Sequence, residues 1–182
     1  MFKALSKFIY FNLMGWKTSG SFPVIKRYIV IVAPHTSNWD FPIGLLGRTV
    51  TNIPDIRFLG KSELFKFPYG WIFRSLGGYP VDRNKNNNLV DTVVEIFENH
   101  EEFKLALAPE GTRKKVDKFK TGFYHIAKKA EVPIVMVGFD YKDKEIRISN
   151  PFYTTGEMDN DMAEIMSWFK GIHAKIPEFS VG

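Results

Sequence analysis

The chain has 182 residues, of which 45% are hydrophobic and 15% aromatic, so it can fold around one sizeable core. Its formal net charge of +5 favours an anionic partner: a phosphate, an anionic lipid headgroup, an acidic protein or nucleic acid. The absence of cysteine excludes disulfides, thiolate nucleophiles and cysteine-ligated metal sites. No apolar run reaches the roughly 18 residues that a membrane span requires.

Residues 1–20 predict an amphipathic N-terminal helix that precedes a single domain formed by residues 21–182. At 100° per residue, one apolar stripe about 80° wide runs along this helix and the lysines lie elsewhere. Such a helix can lie in a membrane interface or pack on the core, and the sequence leaves both alternatives open. The members of the stripe are Phe2, Leu5, Ile9, Leu13 and Trp16.

A buried strand is predicted over residues 28–33, a β-branched run that Pro34 ends because proline lacks an N–H. His35 follows, and Asp40 stands five positions later at the start of a helix-like stretch. Residues five apart do not share a helix face, so the two side chains converge only if His35 lies in the turn. In that geometry the carboxylate holds one imidazole nitrogen and leaves the other free to accept a proton.

The same segment has a purely structural interpretation. Ser37, Asn38 or Asp40 could cap the helix, and His35 could be a polar turn residue. A Gly-x-Ser-x-Gly elbow is absent, so Ser37 is predicted to be a helix cap or turn hydroxyl instead of a nucleophile. Nucleotide-binding glycine loops are absent as well.

Further along the chain, predicted helices and strands alternate. This alternation predicts an α/β fold: a single domain with a largely parallel β-sheet flanked by helices. The helices are expected at residues 89–97, after Asn88 as N-cap, at 122–131 and at 162–169, and the strands at 103–108, 132–139 and 145–148.

Three predicted strands lead into ionisable residues. His35 follows the first strand, Glu110 follows Ala-Pro at the end of the strand at 103–108, and residues 78–81 lead to Asp82 and Arg83. In open parallel sheets the ligand crevice lies beyond the carboxyl ends of the strands. The sequence therefore predicts one active site at this edge of the sheet.

Phosphate-binding groups accompany these strand ends. Arg83 and Arg113 can each contact phosphate oxygens in a bidentate manner, although surface salt bridges are the alternative. Gly111 lets the backbone approach a ligand closely, and Thr112 can donate a hydrogen bond. Glu110 could accept a substrate hydroxyl or orient one of the arginines. The remaining histidines lack metal-ligand spacing, so no metal site is predicted.

These residues resemble the glycerolipid acyltransferase family, whose bacterial type member acylates 1-acyl-glycerol-3-phosphate. The four blocks of the family occur in order within residues 29–137, which is far more specific than one His-x4-Asp spacing. Pro34 and Thr36 differ from the Asn and Gln common in the family, which leaves the acceptor open. The blocks are His35-x4-Asp40 with Ser37 inside it, Gly78-Tyr79-Pro80-Val81-Asp82-Arg83, Pro109-Glu110-Gly111-Thr112-Arg113 and Val132-Pro133-Ile134-Val135.

The resemblance implies an O-acyltransferase domain at residues 21–182 that moves a fatty acyl group from acyl-CoA or acyl-carrier protein to a hydroxyl of a lysophospholipid, with 1-acyl-glycerol-3-phosphate as the expected acceptor. By this resemblance His35 is the general base and Asp40 orients its ring. No cofactor and no nucleic acid is expected; the partners are the acyl thioester, the lysophospholipid and a membrane surface. The expected location is the cytoplasmic face of the membrane, as a peripheral or monotopic protein. The residues expected to hold the acceptor's glycerol phosphate are Arg83, Glu110, Gly111, Thr112 and Arg113.

Several alternatives stay open at this point. The acceptor could be another lysophospholipid or an amino-acid-based lysolipid. The same pair could act on water in a thioester or phosphate hydrolase, or the basic run from Arg113 to Lys120 could serve a non-catalytic module that binds anionic lipid or nucleic acid. The fourth block and the aromatic residues Phe65, Phe67 and Trp71 are candidates for an acyl-chain groove, with core packing as the alternative.

Overall fold

The structure, a computed structural model, describes residues 2–81 and 89–180. Arg83 and the helix cap predicted at Asn88 therefore lie outside the described residues. The strands are β1 (Lys17–Ser19), β2 (Arg27–Ala33), β3 (Arg57–Lys61), β4 (Gly78–Val81), β5 (Phe103–Leu107), β6 (Ile134–Asp140) and β7 (Glu145–Ile148). The α-helices are α1 (Phe2–Lys7), α2 (Asp40–Val50), α3 (Gly70–Ser75), α4 (Leu89–Glu98), α5 (Gly122–Lys129) and α6 (Met158–Phe169).

The strands form a seven-stranded sheet in the order β1-β7-β6-β2-β5-β3-β4. Only the β6–β7 pairing among these is antiparallel; the others are parallel. The predicted α/β fold with a largely parallel sheet is therefore confirmed. β2 lies between β5 and β6, so the carboxyl ends of these three strands are adjacent. β4 is an edge strand, where Pro80 is tolerated because one row of backbone N–H groups needs no partner.

Successive side chains of β2 point to opposite faces of the sheet, and both faces are covered. Ile29 and Ile31 join a core cluster on the face that packs against α4, α5 and α6. Tyr28 and Val30 join the cluster on the other face, which is covered by α2 and the N-terminal segment. The almost unbroken apolar sequence of β2 follows from this burial on two sides.

The N-terminal helix is shorter than predicted, because residues 17–19 belong to the sheet as β1. After α1, the chain continues as a π-helical turn over Phe8–Leu13, where the Met14 N–H bonds to the Ile9 carbonyl at 2.9 Å. Gly15, with φ at +68°, then directs the chain into β1. None of the helices in the described part of the chain is long and apolar enough to cross a membrane.

The π-helical turn also changes which side chains of this segment are buried. A π-helix has more residues per turn than an α-helix, so it breaks the spacing on which the predicted stripe depended. Tyr10 is fully buried beside α2, whereas Leu5 and Leu13 are exposed together with Phe8 and Phe11. One side of the segment therefore packs on the domain and the other side presents apolar side chains to solvent.

Candidate active site

His35 and Asp40 converge as the sequence required. His35 lies in the turn after β2, and Asp40 is the first residue of α2. The distance between His35 Nδ1 and Asp40 Oδ2 is 3.2 Å, with the Asp40 side chain 1% and the His35 side chain 26% exposed. A buried carboxylate thus contacts a partly accessible imidazole, an arrangement in which an imidazole can accept a proton.

The Asp40 carboxylate has two further hydrogen-bond donors. The Ser37 N–H donates to Oδ2 at 2.8 Å, and the Tyr141 hydroxyl donates to Oδ1. Burial alone raises the pKa of Asp40, but the hydrogen bonds from His35, Tyr141 and Ser37 outweigh it and hold the pKa below its usual value. Asp40 is therefore ionised at neutral pH.

The alternative in which this segment only caps α2 does not fit the contacts. The helix begins after Trp39 without a hydrogen bond from a capping side chain. Ser37 Oγ accepts the Trp39 N–H at 3.2 Å, which confirms Ser37 as a turn hydroxyl. The Asp40 carboxylate is directed back toward His35 and Tyr141.

Glu110 lies after β5, the strand beside β2, and contacts the backbone of His35. Its Oε2 accepts the His35 N–H at 2.7 Å, and the residue is 3% exposed. Burial raises the pKa of Glu110 to about 7, against the opposing effects of the His35 N–H and imidazole. Glu110 therefore holds the turn that carries His35, a role that the sequence did not suggest.

Gly111 forms a tight turn with φ at +65°, and its N–H donates to the Ala108 carbonyl at 3.1 Å. The loop after this turn returns to the strand end, where the Lys120 N–H donates to the Pro109 carbonyl at 2.8 Å. A Cβ at position 111 would lie 2.7 Å from Lys120 Nζ, so only glycine lets this lysine pass so closely. Both Gly111 and Lys120 line a cavity that also reaches His35.

Thr112 and Arg113 are exposed on the same loop, and neither lines the cavity. The Thr112 hydroxyl accepts the Lys114 N–H at 3.3 Å, which stabilises the local turn. Within the described residues, the structure therefore brings together His35, Asp40, Glu110 and Gly111, and it leaves Thr112 and Arg113 exposed and outside the cavity lining. Arg83, the remaining predicted binding residue, lies outside the described part of the chain.

The cavity has a volume of about 570 Å³ and lies between α2 and the sheet. This volume is in the usual range for small-molecule sites. The three aromatic residues that were candidates for an acyl-chain groove do not line this cavity. Phe67 and Trp71 are exposed, and Phe65 packs on β3 and β4. Much of the wall comes instead from α2 and the central strands, including Val30, Leu45, Phe58, Val137 and Phe139.

Sequence reasoning missed two residues of this site. Tyr141 follows β6, so it lies at the same sheet edge as His35; the strand-end rule that found Glu110 would have found it too. Lys120 was grouped with an exposed basic run, yet it lines the cavity. The buried Phe119 beside it was the available signal, since an apolar side chain in a basic loop indicates that the loop folds back.

The other three histidines have surface or packing contacts. His100 Nδ1 lies 2.7 Å from the Ile96 carbonyl, His125 is exposed on α5, and His173 Nδ1 lies 3.5 Å from Asp140. Over residues 2–81 and 89–180, no group of three or more His, Asp or Glu side chains is arranged to hold a metal ion.

Together, the fold and the site define an α/β protein in which a histidine–carboxylate pair contacts an apolar cavity at the carboxyl edge of a mainly parallel sheet. The family model described as Acyltransferase matches residues 17–140. This match spans more than half of the sequence and includes β1 to β6, so the chain belongs to the acyltransferase family.

Several curated relatives are similar over the same region. The 1-acyl-sn-glycerol-3-phosphate acyltransferase of Saccharomyces cerevisiae is 33% identical over 129 residues, covering 66% of this chain and 41% of the relative. The Escherichia coli protein of the same name is 28% identical over 128 residues, covering 66% of this chain and 50% of that relative. The Streptococcus pneumoniae protein of the same name is 31% identical over 112 residues, covering 60% of this chain and 40% of that relative. The chain therefore spans half or less of the length of these relatives.

The crystal structure of the 1-acyl-sn-glycerophosphate (LPA) acyltransferase, PlsC, from Thermotoga maritima has a similar fold. The TM-score is 0.63 at 22% sequence identity, covering 90% of this chain and 74% of that chain. This similarity in fold covers more of the chain than residues 17–140, the region that the family model matches.

Proposed function

We propose that the protein is an O-acyltransferase that moves a fatty acyl group from an acyl thioester to a hydroxyl of a lysophospholipid, with 1-acyl-glycerol-3-phosphate as the acceptor. One observation carries the proposal: the His35–Asp40 pair, joined at 3.2 Å, lies in the wall of an apolar cavity. A proton acceptor beside apolar space suits a lipid hydroxyl and a fatty acyl chain. Family membership and the names of the relatives support the reaction class.

In the proposed reaction, His35 is the general base. Asp40 accepts a hydrogen bond from the Nδ1–H of the imidazole, which leaves Nε2 with a lone pair for the acceptor hydroxyl. Because the Asp40 carboxylate stays ionised, it stabilises the imidazolium that forms when this proton is taken.

The acceptor oxygen attacks the thioester carbonyl carbon as the proton moves to His35. The new C–O bond forms and the C–S bond breaks, and the imidazolium returns its proton to the leaving thiolate. The products are an ester and a free thiol, and His35 regains its starting state. No residue of the protein is acylated in this scheme, in agreement with the turn role of the Ser37 hydroxyl.

The two substrates would occupy different parts of the site. The apolar space between α2 and the sheet would hold the acyl chain. Lys120 at the cavity wall and Arg113 on the same exposed loop would bind the acceptor phosphate, with Arg83 as a further candidate. The same positive charge suits the anionic groups of acyl-CoA or acyl-carrier protein as donor.

The acceptor is a lipid, so we propose peripheral binding to the cytoplasmic face of a membrane. Two exposed apolar regions support this. The N-terminal segment exposes Leu5, Phe8, Phe11 and Leu13, and the segment after β3 exposes Phe67 at 97% and Trp71 at 70%. Aromatic side chains and nearby lysines are typical of surfaces that enter the headgroup region of a bilayer.

The test measures release of free thiol by the purified protein from an acyl thioester, with and without 1-acyl-glycerol-3-phosphate, together with mass spectrometry of the lipid product. We expect thiol release that depends on the acceptor and matches formation of the diacyl product. The variant His35→Ala should lose about 10²–10⁴ in turnover. His125→Ala, which removes an exposed imidazole on α5, is the matched control and should retain full activity.

Different outcomes identify the alternatives. Thiol or phosphate release without any acceptor would indicate a hydrolase that uses the same pair on water. Product formation only with other lysolipids would support the general-base mechanism but show that 1-acyl-glycerol-3-phosphate is not the acceptor. Turnover by His35→Ala at the wild-type rate would contradict the assigned general base.

A further inference from the structure

We infer that Tyr141 is a positioning residue for the His35–Asp40 pair, acting through its hydrogen bond to Asp40. Tyr141 lies outside all four sequence blocks that resemble the family, directly after β6. The inference concerns how the pair is held, and its kinetic part rests on the proposed acyl transfer.

The two oxygens of Asp40 have different partners. Oδ2 faces His35 Nδ1 and the Ser37 N–H, whereas Oδ1 accepts the Tyr141 hydroxyl. The terminal torsion of an aspartate side chain is soft, so contacts at one oxygen alone do not fix the carboxylate plane. A donor at Oδ1 fixes it and keeps Oδ2 directed at the imidazole.

Water is poorly placed to replace this donor, since the Asp40 side chain is almost fully buried. Leaving an oxygen of a buried carboxylate without a hydrogen bond costs far more free energy than leaving one unbonded at the surface, where water replaces the donor. Loss of the Tyr141 hydroxyl would thus leave Asp40 either with an unsatisfied oxygen or rotated away from His35.

Tyr141 is itself held on several sides. Its N–H donates to the His173 carbonyl at 2.9 Å. The Trp16 ring packs edge-on against its ring at 5.2 Å, and Lys175 Nζ lies 5.5 Å from the ring centroid. The hydroxyl is therefore presented to Asp40 by contacts from both the N-terminal and the C-terminal parts of the chain.

The hydroxyl also keeps its proton. Burial raises the pKa of Tyr141 above its usual value, and the negative charge of Asp40 raises it further. Tyr141 therefore donates to Asp40 throughout the pH range in which an imidazole can act as a base.

The first experiment compares Tyr141→Phe with a matched control, Tyr28→Phe. Tyr28 is fully buried, whereas Tyr141 is partly buried, and the Tyr28 hydroxyl has no hydrogen-bond partner among the described residues. We expect Tyr141→Phe to lower kcat about ten- to a hundredfold, as loss of a bond to a buried charge does. KM for both substrates should change less than about twofold.

The pH profile adds a readout that a purely structural role would not change. The Tyr141 hydroxyl lowers the pKa of Asp40, so its removal should shift the acid limb of the kcat/KM profile to higher pH. An unchanged kcat and an unchanged profile in Tyr141→Phe would overturn the inference. So would equal losses in Tyr141→Phe and Tyr28→Phe.

A second measurement needs no activity. In protein labelled with ¹³C at the aspartate carboxyl carbons, the Asp40 signal is assigned by its loss in Asp40→Asn, and its titration is followed by NMR. The titration midpoint should rise in Tyr141→Phe and stay constant in Tyr28→Phe. A midpoint unchanged by Tyr141→Phe overturns the inference. Absence of acyl transfer in the wild type would instead reject the proposed function, and this titration would still decide the role of Tyr141.

Discussion

The side chain of Glu110 bonds to the backbone of His35, with 2.7 Å between Oε2 and the backbone nitrogen. This contact ties the end of β5 to the turn after β2, two segments 75 residues apart in sequence. Because the carboxyl group is buried, its protonation state is linked to the stability of the fold.

The first prediction concerns Glu110→Gln and pH. Burial raises the pKa of Glu110 from 4.5 to about 7, so its protonated form favours the folded state. That stabilisation is complete at pH values below the pKa of Glu110 in the unfolded chain, and it is lost as the pH rises through about 7. Glutamine keeps an oxygen for the His35 N–H and has no charge. Glu110→Gln should therefore match the wild type near pH 4 and exceed its free energy of unfolding by up to about 3 kcal/mol near pH 8.

Urea denaturation at the two pH values measures this difference. The control is Glu98→Gln, which removes an exposed carboxylate at the end of α4 and should not alter the pH dependence. If Glu110→Gln and the wild type show the same pH dependence, burial does not raise the pKa of Glu110 and this prediction is wrong.

The second prediction concerns Lys120. Its side chain lines the cavity next to Gly111, so Lys120→Gln should remove a charged contact with the acceptor phosphate. We expect kcat/KM for the lysophospholipid to fall about ten- to a hundredfold, with a much smaller change in KM for the thioester. Lys118→Gln, two positions earlier on the same exposed loop, is the control. Equal losses in the two variants would indicate a general effect of the positive charge.

The third prediction concerns Arg113. The side chain is exposed, so Arg113→Ala should cost little stability. It should weaken use of the acceptor much more than binding of the thioester. Steady-state kinetics with each substrate varied in turn distinguish the two effects. Similar losses for both substrates would mean that Arg113 supports the loop structurally.

Sequence reasoning predicted the dyad because its geometry follows from local rules. Pro34 ends β2, so His35 must lie in a turn, and a helix that starts at Asp40 returns the carboxylate to that turn. The parallel sheet followed from alternating helices and strands. Both inferences depend on residues close together in the chain.

The features that were missed depend on distant contacts or on irregular backbone. Tyr141 contacts Asp40 across 101 residues, and Lys120 reaches the site only because its loop turns back at Gly111. The apolar stripe of the N-terminal helix failed because a π-helical turn changed the residue spacing. The cavity wall depends on how α2 lies on the sheet, which apolar composition alone does not specify.

The fourth prediction concerns the length of the cavity. Gly44 lies on α2 in the cavity wall, and a Cβ there would be in ordinary contact with Phe139 at 3.5 Å. Gly44→Met should therefore be accepted by the helix while its longer side chain fills part of the cavity. Leu46→Met, a volume-conserving change on the same helix outside the cavity wall, is the control.

The expected result of Gly44→Met is a change in chain-length preference. Turnover of a long-chain thioester should fall about tenfold or more relative to a short-chain one. A long acyl chain and the methionine would compete for the same space, and such overpacking costs about 1–3 kcal/mol. Competition between thioesters of different length in one reaction gives this ratio directly. An unchanged ratio would place the acyl chain outside the cavity.

The last prediction concerns the exposed aromatic side chains after β3. Phe67 and Trp71 are exposed in the connection that leaves the sheet at the carboxyl end of β3, the edge at which His35 lies. If this edge enters a bilayer, Phe67→Ser with Trp71→Ser should weaken binding to vesicles that contain anionic lipid about tenfold or more. Stability should change little, because both side chains are already exposed in the folded state.

The control for this prediction is Tyr153→Ser. Tyr153 is also exposed, but it lies beside Lys26 and Arg27, at the amino end of β2 and thus at the opposite edge of the sheet. Its loss should leave vesicle binding unchanged, as measured by flotation with the lipid. Equal weakening by both changes would contradict a membrane surface at the active-site edge. Unchanged binding by the Phe67 and Trp71 variant would leave the N-terminal segment, with its exposed Leu5 and Phe8, as the part that contacts lipid.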